Sequence, residues 1–325
     1  HGPIGVERLA ITSGGVNALM LAAQALIDAG DEVVAVTPVW PNLTAQALVM
    51  GANLKCVSLR PVDGLWQLDM AALKAAITPA TRVLIVNSPN NPTGWTLSRA
   101  EQAEILAHCR NTGTWVLADE VYERLYYETD TPNGCAPSFL HVSEPDDRLV
   151  VVHSFSKSFL MTGWRLGWLV MPAAMTPHMG KLIEFNTSCA SVFTQKAGVV
   201  ALHNTADITP RVVAHLKACR DTLVPLLQAV PGVHWPRPKA ACTRFSGSTG
   251  TRMRWLRPNA WWPKPVWAWP PAKPLRPKRP AGCVGALPPK TWRAWRKAWS
   301  GSRPGCAKTR RQRFERLASI RSAEN

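Results

Sequence analysis

No apolar run in this sequence approaches the about 18 residues that a bilayer-spanning helix needs, which excludes a transmembrane segment of that kind. Its 8 cysteines include no Cys-x-x-Cys pair and are irregularly spaced. The chain therefore reads as a reduced, cytosolic protein without a cysteine-based zinc site. No His-x-x-x-His pair occurs either, so no metal ligands are expected. The Gly-x-x-x-x-Gly-Lys-Ser/Thr loop is missing, which argues against a nucleoside-triphosphate site. The opening His1-Gly2-Pro3 offers no charged n-region and no apolar h-region, so no secretory leader is expected. It also lacks an initiator Met, and the sequence reads as one that starts inside a longer protein.

Acidic residues are scarce in one place only. Residues 1–239 hold 18 Lys+Arg against 19 Asp+Glu, a net of −1. Residues 240–325 hold 20 Lys+Arg against only Glu315 and Glu324, a net of +18. The overall charge of +17 is thus a property of the tail, which also carries 8 of the 15 Trp and 11 of the 28 Pro. So abrupt a change in composition marks a boundary. The 325 residues, 46% hydrophobic and 18% charged, suffice for two domains and a sizeable core.

Before residue 240 the pattern alternates between helical stretches and short, wholly apolar strands, as in α/β domains. An alanine-rich helix is predicted from Val16 to Ala29, with Gly30 at its C-terminus. Strands are predicted at Glu32–Val36, Arg82–Val86, Trp115–Ala118, Leu149–Val152 and Leu166–Val170. Ser98-x-x-Glu101 is a capping box that opens a helix to about His108. A longer helix is predicted from Arg211 to Pro231-Gly232, bent at Pro225. Continuous apolar strands separated by helices imply a mostly parallel sheet covered on both faces. The polar clusters that follow several strands place a site at their carboxyl ends.

Five motifs lie in those clusters: Thr12-Ser13-Gly14-Gly15, Asn90-Asn91-Pro92-Thr93-Gly94, Asp119-Glu120-Val121-Tyr122, Ser154-Phe155-Ser156-Lys157 and Gly163-Trp164-Arg165-Leu166-Gly167. Singly, each has a plain structural reading. A Gly pair is a turn, a lone Lys is a solvated charge, an Asp after a strand is a helix cap, and Trp40 is core. In this order and spacing they resemble the class I/II aminotransferases of fold type I, which use pyridoxal phosphate (PLP), over about Leu9 to Gly232. The resemblance implies an α/β large domain with a mostly parallel, seven-stranded sheet between helices, and an incomplete small domain. It implies a PLP-binding large domain at 1–205, the start of the small domain at 206–239, and a basic Trp/Pro-rich tail at 240–325.

By the same resemblance, each residue acquires a role. Gly14, Gly15 and Val16 open a helix whose N–H groups hold the cofactor phosphate, because glycine allows close approach. Arg165 clamps that phosphate and Ser154 adds a hydroxyl. Lys157 forms the Schiff base with PLP and shuttles the substrate Cα proton; an amine attacks an aldehyde in its neutral form, which burial and neighbouring cations favour. Asp119 pairs with the pyridinium nitrogen, so that the ring acts as an electron sink. Tyr122 and Asn91 hydrogen-bond the phenolic oxygen, and Trp40 stacks on the ring. The implied activity is transamination between an amino acid and a 2-oxo acid, in a cytoplasmic homodimer. A PLP-dependent Cβ lyase and a PLP-binding remnant without turnover are the alternatives.

The tail has the ingredients of a nucleic-acid arm, Lys/Arg for phosphates and Trp for stacking. Yet it begins where the family continues into its small domain. Back-translated with each codon's last base joined to the next two, Lys239–Ser246 permits Gly-Gly-Met-Tyr-Ala-Phe-Phe, which resembles a small-domain strand. At the same offset Pro280–Leu287 permits Gly-Trp-Leu-Arg-Trp-Cys-Phe, resembling the strand that carries the carboxylate-binding arginine. The expectation is a frameshift near Ala240, with no nucleic-acid partner and no stable packing in the tail.

Overall fold

Strands form in the computed structural model where the apolar runs predict them: β2 (Glu32–Thr37), β6 (Thr81–Asn87), β7 (Trp115–Asp119), β8 (Leu149–Ser154) and β9 (Gly167–Val170). The structure describes residues 1–128, 131, 133–229, 233–234, 236–240 and 247–248. Two further strands, β1 (Leu9–Thr12) and β3 (Asn53–Ser58), complete a seven-stranded sheet in the order β1-β9-β8-β7-β6-β2-β3. The pairs among β3, β2, β6, β7 and β8 are parallel, and β9 runs antiparallel to both β8 and β1. A small hairpin of β4 (Arg60–Val62) and β5 (Leu65–Gln67) stands apart from this sheet.

Strand residues alternate between two cores. Val33, Ala35, Val83, Ile85, Val150 and Val152 face α1 (Gly15–Leu26), α2 (Pro41–Val49) and α6 (Thr176–Thr187). Val34, Val36, Leu84, Val86, Val116 and Val151 face α3 (Met70–Ala76) and α4 (Arg99–Thr112). Burial on both faces is what continuous Val/Ile/Leu runs encode in a parallel sheet.

Three helix boundaries differ from expectation. Helix α1 stops at Leu26, not Ala29: Ile27 turns extended and stays in the core, and Asp31 accepts a 2.9 Å hydrogen bond from the Asp28 N–H. Gly30, at φ +89°, then serves the turn into β2 rather than a helix end. The capping box forms as predicted, with the Ser98 N–H donating to Glu101 Oε2 at 2.7 Å and the Glu101 N–H to Ser98 Oγ at 3.3 Å. Helix α4 nevertheless continues past His108 to Thr112, because the left-handed residue that stops it is Gly113.

Beyond α5 (Phe155–Ser158) and α7 (Val192–His203), α8 spans Thr205–Gln228. It begins six residues before Arg211 and keeps both Pro210 and Pro225 inside it; Pro231 and Gly232 lie outside the described residues. Val212, Val213 and Leu216 of α8 pack against Tyr122 and Leu125. The following segment returns to the sheet's polar end: Tyr127 N–H donates to Lys239 O at 2.9 Å, Lys239 N–H to Gly94 O at 3.1 Å, and Ala240 bridges Tyr126. A two-residue pair, β10 (Val233–His234) with β11 (Gly247–Ser248), closes the described chain, and the rest of the basic tail lies outside it. No described helix is long and apolar enough to cross a membrane.

Candidate active site

The carboxyl ends of β6, β7 and β8 carry Asn87, Asp119 and Ser154, with Asn87 and Asp119 in register. The Asn87 side chain ties this end together. Its Nδ2 donates to Asp119 O at 2.9 Å, and its Oδ1 accepts the Asn91 N–H at 2.7 Å. Asn91 Nδ2 in turn lies 3.4 Å from Tyr122 Oη, on the buried Tyr122 ring. The half-buried Lys157, in the short α5, places its Nζ 5.4 Å from the centre of that ring.

Asp119 is fully buried, and burial pushes its carboxyl up to about 7. A 3.3 Å hydrogen bond from the Val121 N–H and the nearby Lys157 charge oppose that rise without cancelling it. A protonated pyridine nitrogen is the kind of further cation that would bring a buried carboxyl in this state back to its ionised form.

A second cluster forms at the head of α1. Gly14, at φ +92°, caps the helix, and a Cβ there would stand 2.4 Å from Arg165 Nη2. A Cβ on Gly15 would meet Ser154 Cβ at 3.3 Å. Gly167 is equally constrained, since a Cβ there would fall 2.8 Å from His153 O and 3.0 Å from the Gly14 carbonyl carbon. Arg165 itself is left-handed, at φ +52°, and its Nη1 donates to Thr162 O at 2.8 Å and approaches Ser156 Oγ at 3.5 Å. Ser154 Oγ accepts the Ser156 N–H at 3.1 Å. Helix N–H groups, the buried Ser154 and Ser156 hydroxyls and the exposed Arg165 guanidinium thus lie together, which is the chemistry of a phosphate site.

Of the sequence-predicted residues, the structure brings Asp119, Tyr122, Asn91 and Lys157 into one group and Gly14, Gly15, Ser154 and Arg165 into another, joined through β8 and α5. Val16 occupies the first turn of α1, its side chain exposed. Trp40 heads α2, half-buried against the α1-side core, and none of the contacts described joins it to Asp119 or Lys157. Two residues to which the sequence assigned no role are Asn87 and Ser156. An Asn at the end of an apolar strand, four residues before Asn91, is the signal that could have singled out the first.

Comparison with known proteins identifies the family. The family model for aminotransferase class I and II matches residues 3–256. Aspartate aminotransferase of Musicola paradisiaca (strain Ech703) is 31% identical over 249 residues, covering 76% of this chain and 60% of the relative. The probable N-acetyl-LL-diaminopimelate aminotransferase of Bacillus subtilis (strain 168) is 34% identical over 201 residues, covering 62% and 49%. Among solved structures, aspartate aminotransferase of Rhizobium meliloti superposes with a TM-score of 0.70 at 30% identity, over 76% of this chain and 61% of that one. A PLP-dependent aminotransferase from Streptococcus suis 89-1591 gives 0.69 at 27%, over 76% and 64%. The chain spans about 60% of the length of the curated relatives it matches first. The fold is that of their α/β domain, and the chain belongs to the class I and II aminotransferase family.

Proposed function

We propose that this chain binds PLP and carries the transaminase chemistry of its family, moving an amino group from an amino acid to a 2-oxo acid. The observation that carries the reading is the buried Asp119 carboxyl at the end of β7, pushed up to about 7 by burial and within reach of the Lys157 charge. The residues fit the cofactor at both ends. The cluster at Gly14, Gly15, Val16, Ser154 and Arg165 would hold its phosphate, and Asp119 would pair with its ring nitrogen. Tyr122 and Asn91 would orient its phenolic oxygen, and Trp40 would border the ring.

When bound, PLP supplies an aldehyde that condenses with amines and a ring that withdraws electrons from the substrate Cα. Lys157 Nζ would take the Cα proton and return it to the cofactor carbon at which the amine is held. Asp119, ionised against the ring nitrogen, would keep that nitrogen protonated throughout. A homodimer would suit the apolar residues that α6 and α7 leave exposed, Phe185 and Phe193 each at 72%. The five described cysteines are all free thiols, in keeping with a cytoplasmic setting.

Mixing the chain with PLP tests the reading without turnover. The expected result is an absorbance band near the visible edge that Lys157→Ala abolishes. No band in the parent chain, or an unchanged band in the variant, overturns it. Incubation with amino acids then separates the activities: pyridoxamine phosphate with an oxo acid marks transamination, ammonia with pyruvate marks a Cβ lyase.

A further inference from the structure

Three side chains from distant parts of the chain meet beneath the turn that follows β7. His1 Nε2 lies 2.9 Å from Glu123 Oε2, and Glu123 Oε1 lies 3.6 Å from His153 Nδ1. One ligand atom from each of the three falls within 4.8 Å of the other two, the one such group among the described residues. His153, in β8, is 2% exposed, and its Nδ1 has no hydrogen-bond partner. The distance of 3.6 Å is too long for a hydrogen bond. It is close to the roughly 3.4 Å that separates two ligand atoms bound tetrahedrally at about 2.05 Å to one ion. A small cavity adjoins the group, lined by Glu120, Glu123, Arg124, His153, Ser154 and Trp168 among others. Glu120 Oε2 and Arg124 Nε are also buried there without partners.

The donor set is two imidazoles and one carboxylate; burial lowers His1 but its hydrogen bond to Glu123 raises it more, so His1 would release a proton on binding a metal. Burial holds the His153 imidazole down to about 4, so its ring is neutral and a lone pair is available. Burial pushes Glu123 up, while its hydrogen bond to His1 and the Arg124 charge favour the ionised carboxylate. Two imidazoles and one carboxylate suit borderline divalent ions, zinc and cobalt above all, while hard ions prefer all-oxygen sets. Arg124 Nε lies 3.6 Å from Glu123 Oε1, an ion pair that a bound metal would have to displace. The His141 ring lies 4.9 Å from the His1 ring, tilted at 42° to it.

We propose that His1, Glu123 and His153 form a site for a divalent transition-metal ion that pins the segment before β1 to the turn after β7 and to β8. Spacing rules miss it because the three ligands stand 122 and 30 residues apart. The site is separate from the PLP reading and needs no turnover to observe.

Cobalt titration of the full chain tests it. One equivalent of Co²⁺ is expected to give the intense visible bands of a four-coordinate ion with no thiolate charge-transfer band. His1→Ala, Glu123→Gln and His153→Gln should each weaken binding at least about 10-fold, as loss of even an outer-shell partner often does. His1→Ala changes an exposed position, so it keeps the test informative if His153→Gln does not fold. Cys219→Ser should leave the bands unchanged, which excludes the exposed His215–Cys219 pair, 3.8 Å apart on α8. Absent bands, bands that survive His1→Ala, or bands lost in Cys219→Ser overturn the proposal.

Discussion

Asp119 shows how one side chain ties stability to pH. An exposed Asp titrates near about 4, whereas burial pushes Asp119 up to about 7 in the chain without cofactor. The folded value lies above the unfolded one, so the protonated form favours folding. That contribution is complete below about pH 4 and is lost as pH rises to about 7. Thermal unfolding followed from pH 4 to pH 7 should therefore show stability falling, and Asp119→Asn should flatten the fall; equal slopes would rule the group out. At the phosphate site, Arg165→Ala should weaken PLP binding by about 10- to 100-fold, the worth of one or two charge-assisted hydrogen bonds. A spectroscopic titration reads this directly, and unchanged affinity would remove Arg165 from the site. The sequence made Asp119, Lys157 and Arg165 visible because their spacing is local to strand ends. It hid Asn87's bridging and the meeting of His1 with His153, which exist only once β6, β7 and β8 lie side by side.

At the scale of elements, local chemistry was legible where it closes on itself. The Ser98–Glu101 box needs only a helical turn to form, and both of its hydrogen bonds are present. Ser98→Ala should cost about 1 kcal/mol, a drop of about 2–4 °C in Tm for a domain of this size. Differential scanning calorimetry checks it, and no change would mean that the cap is replaced by water. The strands β2, β6, β7 and β8 were equally plain, since burial on both faces leaves no polar alternation to blur them. By contrast, β1 and β3 escaped notice. Leu9–Thr12 buries only Ala10 and Thr12, and Asn53–Ser58 only Val57, so neither presents a continuous apolar run. The end of α1 was misjudged for a related reason: Ile27 is apolar and buried, but it is buried as extended chain.

At the scale of the whole molecule, a charge of +17 would ordinarily point to a nucleic-acid partner. Residues 1–239 carry none of that excess. The near-neutral region is continuous with the sheet as far as Ala240, which is fully buried with Tyr126 and Ala136. The backbone at Lys239 is bonded to both Gly94 and Tyr127. The chain is thus packed into the fold up to the residue where composition breaks. The family match ends at residue 256, 16 residues beyond that break. The proposed frameshift near Ala240 explains why basic charge, Trp and Pro all rise together there, since a shifted frame changes every residue type at once. It predicts that the nucleotide sequence from codon 239 onward, read at the offset described, spells the two small-domain strings; codons that cannot spell them refute it. It predicts also that PLP binding is insensitive to salt-dependent competition by DNA. If instead the tail is a selected arm, DNA binding should be strong at low salt and weaken steeply as salt rises. It should also vanish on truncation at residue 240.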